Sequence, residues 1–288
     1  MNKAIVVGAF GFLGYGVTKA MLEEGMEVIA LSNTDEKNCF KAEKRMEVGR
    51  NANFIEDIEW GELHEENEEL RLIIPLYDFY MNGTEKKVYE RVLGREDHPL
   101  FSLENCSVTY LLPYQVANEQ GFQKFKDFMK NRGFSSYQEI YFPTLYGPWQ
   151  PDVYYFQQVL AFYRSDKSEY NLSSRESIED AIYIEDAASI VLQLKEDSGK
   201  FVVHSGKTNG WMECFLHLCK SLSLPEEKKL LMLESVSQKM KNWEQTSWLQ
   251  LQENKDDYHF MYVKEPMEIQ RGIKEQQKQY EHWQLMNR

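Results

Sequence analysis

Four cysteines in 288 residues, none in a C-x-x-C pair, leave no zinc ribbon and no dithiol redox motif. Cys39, Cys106, Cys214 and Cys219 read instead as small buried hydrophobes. Cysteines this sparse in a large chain fit a reducing cytosol, so a cytoplasmic protein is expected. The six histidines are scattered, with no H-E-x-x-H and no His/Asp cluster, and no metal is expected. Basic residues are outnumbered: 33 Lys and Arg stand against 46 Asp and Glu, a formal net charge of −13. Such a surface repels phosphate backbones and anionic lipid, which argues against nucleic-acid or membrane-surface partners. No apolar run approaches membrane-spanning length. The N-terminus enters a strand pattern directly, without the charged n-region and cleavage site of a signal peptide.

What is present points to a sizeable core. Apolar residues make up 42% of the chain and aromatics 14%. The length suits one large domain, or one domain carrying a smaller lobe. Ala4-Ile5-Val6-Val7 and Val28-Ile29-Ala30-Leu31 are short β-branched runs of the kind buried on both faces of a parallel sheet. Between them lies a helical stretch, Tyr15 to Glu24, closed by Gly25. Further strands are predicted at Phe54–Asp57, at Leu70–Ile74 (stopped by Pro75), at Val108–Leu112 (stopped by Pro113) and at Tyr137–Phe142. Residues 84–94 read as helical, and Gln115 to Asn131 as a long amphipathic helix. Its apolar stripe, Phe122, Phe125, Phe128 and Met129, reads as core or as a homodimer face. The charged stretches 35–50, 58–69 and 234–258 read as surface helices or loops.

The strongest motif is Gly8-x-x-Gly11-x-x-Gly14. The first glycine allows the tight turn after a strand, the second lets the backbone approach a pyrophosphate, and the third lets the helix pack on the sheet. The helix N-terminus then offers free N–H groups and a partial positive charge to phosphate. Here the motif follows a buried strand, opens a helix and leads to a second strand at the right distance. Gly8, Gly11 and Gly14, with Phe10, Phe12 and Leu13 between them, are therefore candidate cofactor-binding residues. Ser32 and Asn33 stand where a ribose 2′-OH would be held. Both are neutral, with Asp35, Glu36 and Lys37 just beyond, so the residues do not choose between NAD and NADP.

Other segments carry a family resemblance. Asp57 resembles an aspartate that contacts adenine, and Tyr146-Gly147-Pro148 resembles a Y-G-P signature. Arg175 to Ala188 is similar to an R-D-F-I-Y-V-D-D-V-A segment, Val203 to Gly206 to an N-x-G-S strand end, and Ile269 to Trp283 to a closing helix. In order and spacing, from residue 4 to residue 283, the chain resembles the NAD-dependent epimerase/dehydratase branch of the extended short-chain dehydrogenases. The resemblance implies an α/β fold: a Rossmann-type parallel sheet with helices on both faces and a smaller C-terminal substrate lobe. Residues 1–148, with a returning segment at about 177–204, would form the NAD(P)-binding domain. Residues 149–176 and 205–288 would form the lobe.

The resemblance also implies a Y-x-x-x-K catalytic pair. Tyr114 is the candidate tyrosine, and the lysine position holds Asn118. In that family the lysine's charge lowers the tyrosine pKa and its ammonium holds the nicotinamide ribose. A free tyrosine, with a pKa of about 10, needs such help to trade protons near neutrality. The upstream Ser/Thr of the family is not found, and Pro75-Leu76-Tyr77 replaces the small residues that usually end the fourth strand. Two function classes follow. The chain is either an atypical oxidoreductase or epimerase acting on a nucleotide sugar or a related carbonyl or hydroxyl compound, or a catalytically impaired NAD(P)-binding sensor or scaffold.

Overall fold

The computed structural model describes residues 2–31, 40–57, 69–93, 106–117, 119–131, 134–164, 172–194, 198–241 and 247–286. Strands and helices alternate from the start: β1 (Lys3–Val7), α1 (Phe12–Glu23), β2 (Glu27–Leu31), α2 (Lys41–Val48) and β3 (Phe54–Asp57). β4 (Leu70–Ile74), α3 (Leu76–Met81), α4 (Glu85–Leu93), β5 (Cys106–Pro113), α5 (Gln120–Lys130) and β6 (Ser136–Phe142) follow. The remainder comprises β7 (Thr144–Tyr146), α6 (Tyr155–Arg164), β8 (Ala181–Tyr183), α7 (Ile184–Gln193), β9 (Gly199–His204), α8 (Gly210–Ser221), α9 (Glu226–Lys241), α10 (Ser247–Glu253), β10 (His259–Tyr262) and α11 (Ile269–Met286).

Eight strands form one parallel sheet in the order β3-β2-β1-β4-β5-β6-β9-β10. The register sets Ile5 opposite Ile29 on one side and Leu72 on the other. Successive side chains of β1 feed two different cores, as the period of a strand requires. Ala4 and Val6 pack with α1 and α7, while Ile5 and Val7 pack with α3, α4 and α5. Both faces are thus covered by helices, the Rossmann-type arrangement expected from the sequence. A third core, around Trp211, Phe215 and Tyr155, joins α6, α8, α9 and α11. It lies beside the two-stranded sheet of β7 and β8. β10, from the stretch 205–288 assigned to the lobe, pairs with β9 at the edge of the large sheet.

The expected helix from Gln115 to Asn131 is divided. A 3-10 turn spans Tyr114–Val116, and α5 starts at Gln120 after an extended Glu119 with ψ 123°. The apolar stripe survives the division: Phe122, Phe125 and Met129 are buried in the core. Replacing Phe125 with alanine at such a site costs about 3–5 kcal/mol. Cys106, Cys214 and Cys219 are buried as free thiols, and Cys39 lies outside the described residues. No helix among the described residues is long and apolar enough to cross a membrane. No group of three or more His, Cys, Asp or Glu among them could hold a metal ion.

Candidate functional site

The chain runs from β1 outward to β2 and β3, then crosses back to place β4 on the other side of β1. The switch point of the sheet therefore lies at the carboxyl ends of β1 and β4, where ligands of open α/β sheets bind. The glycine-rich turn sits there. Gly8 adopts φ 68°, a left-handed conformation that favours glycine. Its carbonyl accepts from the Gly11 amide at 2.9 Å and closes the turn. A Cβ on Gly14 would stand 2.4 Å from the Gly8 carbonyl oxygen, so this glycine is required for helix packing, as its place in the motif predicts.

The α1 N-terminus carries no side-chain cap of its own. Its amides are taken by a residue from another element. Asp78 accepts from the Leu13 amide through Oδ1 at 2.9 Å and from the Gly14 amide through Oδ2 at 2.8 Å. It reaches this position because Pro75, lacking an N–H, ends the β4 ladder, and the chain turns at once into α3. Asp78 is only 2% exposed. Burial raises its carboxyl pKa to about 6; the Gly14, Leu13 and Phe12 amides and the Lys44 ammonium all pull it back down. Lys44, fully buried on α2, donates to the carbonyls of Phe10 at 3.0 Å and Gly11 at 2.8 Å. Its ammonium also lies 5.2 Å from the centre of the Tyr15 ring.

Aromatic side chains occupy the rest of the crevice. Phe10 and Phe12 are buried, and Phe12 meets Tyr154 edge-on with ring centres 5.5 Å apart. Tyr77 stacks on Tyr154 at 6.4 Å. The Tyr77 hydroxyl donates to the Pro143 carbonyl at 2.9 Å and accepts from the Leu145 amide at 3.0 Å. Tyr77 and Tyr154 are both buried beside the turn. A cavity of about 480 Å³ lies elsewhere, on the outer side of α1, lined by Tyr15, Lys19, Glu47, Trp149 and Glu185 among others.

Tyr114 opens the 3-10 turn after β5 and is 1% exposed. Its hydroxyl donates to the Val203 carbonyl at the end of β9, at 2.5 Å. Burial pushes its pKa well above the ordinary tyrosine value, and Asp180 and Glu179 push in the same direction. Proton exchange near neutrality needs the opposite shift. Asn118, Ser32 and Asn33 lie outside the described residues, as does the side chain of Asp57 at the end of β3. Tyr146, Gly147 and Pro148 form the turn out of β7, where the Gly147 amide donates to Gln276 Oε1 on α11 at 3.2 Å.

A dinucleotide pyrophosphate does not fit this turn as it stands. The amides that would bind it are satisfied, and a Cβ on Gly11 would lie 2.3 Å from Asp78 Oδ2, so the carboxylate occupies the approach that the second glycine opens. Asp78 and Lys44 are the site residues that sequence reasoning missed. For Asp78, a signal was available in the acid that follows directly on the bulky Pro75-Leu76-Tyr77 replacement.

No protein-family model matches the chain, and no curated protein matches it in sequence. Solved structures do. UDP-glucuronic acid 4-epimerase from Bacillus cereus, crystallised with NAD, superposes with a TM-score of 0.63 at 12% identity, covering 97% of each chain. The enzyme WbmH from Bordetella bronchiseptica, in complex with NAD+, gives 0.60 at 12% identity over 98% of this chain and 99% of its own. A dTDP-glucose 4,6-dehydratase from Bacillus anthracis, also with NAD, gives 0.57 at 11% identity over 98% of both chains. At such identities the likeness is one of fold. The chain has the fold of the NAD-dependent epimerases and dehydratases of the extended short-chain dehydrogenase type, with one of its own aspartates lying across the glycine-rich turn.

Proposed function

We propose that the chain is a catalytically impaired protein built on the epimerase/dehydratase fold, acting as a scaffold or partner protein. One observation carries this reading. The Tyr114 hydroxyl, which the sequence resemblance would make the acid/base, is buried, bonded to a backbone carbonyl and shifted away from neutral proton exchange. The residue four positions on, Asn118, carries no charge to reverse that shift. Function on a shared fold must be argued from the site, and Tyr114 as it stands is not the polarised tyrosine that hydride chemistry would use.

The test is hydride exchange followed at the nicotinamide absorbance. UDP-glucose, UDP-glucuronic acid and dTDP-glucose serve as substrates, with NAD and NADP, across pH 6 to 10. Background rates throughout are expected. Turnover that disappears in Tyr114→Phe would contradict the proposal.

A second reading is an atypical NAD(P)-dependent oxidoreductase or epimerase on a nucleotide sugar. It is favoured by the Gly8–Gly14 turn in a fold whose neighbours are crystallised with NAD. It requires Asp78 to leave the α1 amides and the Tyr114 hydroxyl to leave Val203 before any substrate reacts.

A further inference from the structure

We propose that the Asp78 carboxylate is a built-in substitute for a cofactor phosphate, closing the glycine-rich turn so that the chain folds without a nicotinamide dinucleotide and excludes one. The inference does not rest on the reading of Tyr114, because a chain that turns over no substrate can still bind a dinucleotide.

The chemistry of the replacement is direct. A helix N-terminus binds anions through free amides and a partial positive charge, and a carboxylate supplies the same kind of oxygen as a phosphate. Asp78 uses one oxygen for each of two successive amides, 64 and 65 positions away in the chain. Space is used up as well. The contact of Asp78 Oδ2 with the Gly11 backbone is so close that no Cβ fits between them. Charge adds a third barrier, since a pyrophosphate would enter beside a buried carboxylate of the same sign.

Asp78 is held firmly. Its backbone carbonyl accepts from the Asn82 amide at 3.1 Å and from Asn82 Nδ2 at 2.9 Å. Leu76 and Phe79, on either side of it in α3, are buried in the core beneath the sheet. Tyr77 ties the same helix to Pro143 and Leu145. Swinging the carboxylate away would leave the α1 amides without their anion. From the other side, Lys44 bonds the turn's carbonyls and partly neutralises Asp78. Both the anion and the countercharge of the site are therefore supplied by the chain itself.

Two measurements test this. In calorimetric titration, the wild-type chain should bind neither NADH nor NADPH up to about 1 mM, and a dissociation constant tenfold or more below that would overturn the proposal. The second uses the melting temperature with no dinucleotide present. A Cβ on Gly11, whose φ is negative at −57°, would meet Asp78 Oδ2 at 2.3 Å and the Gly8 carbonyl oxygen at 3.1 Å, so comparing Gly11→Ala in the wild-type and Asp78→Ala backgrounds isolates the contact with Asp78. Gly11→Ala should lower the Tm of the wild-type chain and lower that of Asp78→Ala much less, the non-additivity of two groups in contact. An unchanged Tm for Gly11→Ala, or equal losses in the two backgrounds, would show an open turn and overturn the proposal. If Asp78→Ala does not fold, Gly11→Ala in the wild type and the titration still decide the matter.

Discussion

Asp78 and Gly14 lie 64 positions apart and meet at 2.8 Å, carboxylate oxygen to amide nitrogen, across the switch point of the sheet. They meet because β1 and β4 are neighbours: the turn after one strand faces the helix after the other. The contact connects the fold to its function, since it satisfies the amides through which this kind of turn binds phosphate.

The pH dependence of stability should carry this carboxylate's signature. Folded, Asp78 holds its proton up to about pH 6; the ordinary value is 3.8. Between those values the folded chain binds more protons than the unfolded one, so this group's contribution falls as pH rises through the window and is regained on acidification. Asp180, Asp186, Glu119 and Glu185 are also raised by burial and act in the same direction, while His204, lowered by burial, opposes them below its ordinary value. Asp78→Asn removes the titrating group, although its single amide oxygen can accept from only one of the Leu13 and Gly14 amides. The stability of the wild type relative to Asp78→Asn should rise as pH falls from 7 to 4, measured by urea unfolding at each pH. A difference independent of pH would contradict the assigned shift.

Much of this architecture was legible in the sequence, and the reasons are local. β-branched runs, the glycine turn and Pro75 after β4 report backbone constraints that the sequence carries directly, whereas Pro113, expected to stop β5, is its last residue and still faces Phe142 across the ladder. The Phe122, Phe125 and Met129 stripe reported its own burial. For Asp78 the sequence carried only the hint of an acid after Pro75-Leu76-Tyr77; its partners were not legible, because they depend on two strands becoming neighbours across a crossover. Lys44 was hidden differently. It lies in the charged stretch 35–50, which composition assigns to the surface, yet its ammonium reaches inward to the carbonyls of Phe10 and Gly11. The division of the helix after Tyr114 was missed because its apolar spacing runs on unbroken while the backbone at Glu119 is extended.

Tyr114→Phe should act on stability and leave chemistry untouched. The substitution strips the Val203 carbonyl of its donor inside the core, which costs about 1–2 kcal/mol. Nicotinamide-linked turnover should stay at background in both proteins. A variant as stable as the wild type would mean that the hydroxyl is not held as described.

Arg71 is a second test of the buried framework. It lies on β4, 2% exposed, and donates to neutral acceptors: Thr109 Oγ1 at 3.1 Å, Gln138 Oε1 at 2.9 Å and the carbonyls of Val191 and Leu194 at 3.0 and 3.3 Å. The last two close α7, where a cation is favourable. Burial lowers its pKa to about 10, so it stays charged at neutrality. Arg71→Met should cost about 1–3 kcal/mol by taking the donor from the buried Val191 carbonyl and leaving Gln138 Oε1 and the Leu194 carbonyl with one partner each, read from the denaturation midpoint. Cooperative unfolding at the wild-type midpoint would contradict this role.

Asp78 holds the α1 amides through both carboxylate oxygens. The most direct measurement follows the backbone amide resonances of Leu13 and Gly14 in the isotope-labelled wild-type chain as pH is varied, with and without NAD. Both amides bond the Asp78 carboxylate, so both resonances should titrate together with a midpoint near its pKa of about 6. Lys44→Met should move that midpoint upward by removing the nearby cation that favours the carboxylate, and NAD at millimolar concentration should leave both resonances in place. Resonances that shift together on addition of NAD would show amides open to a cofactor and contradict closure of the turn by Asp78.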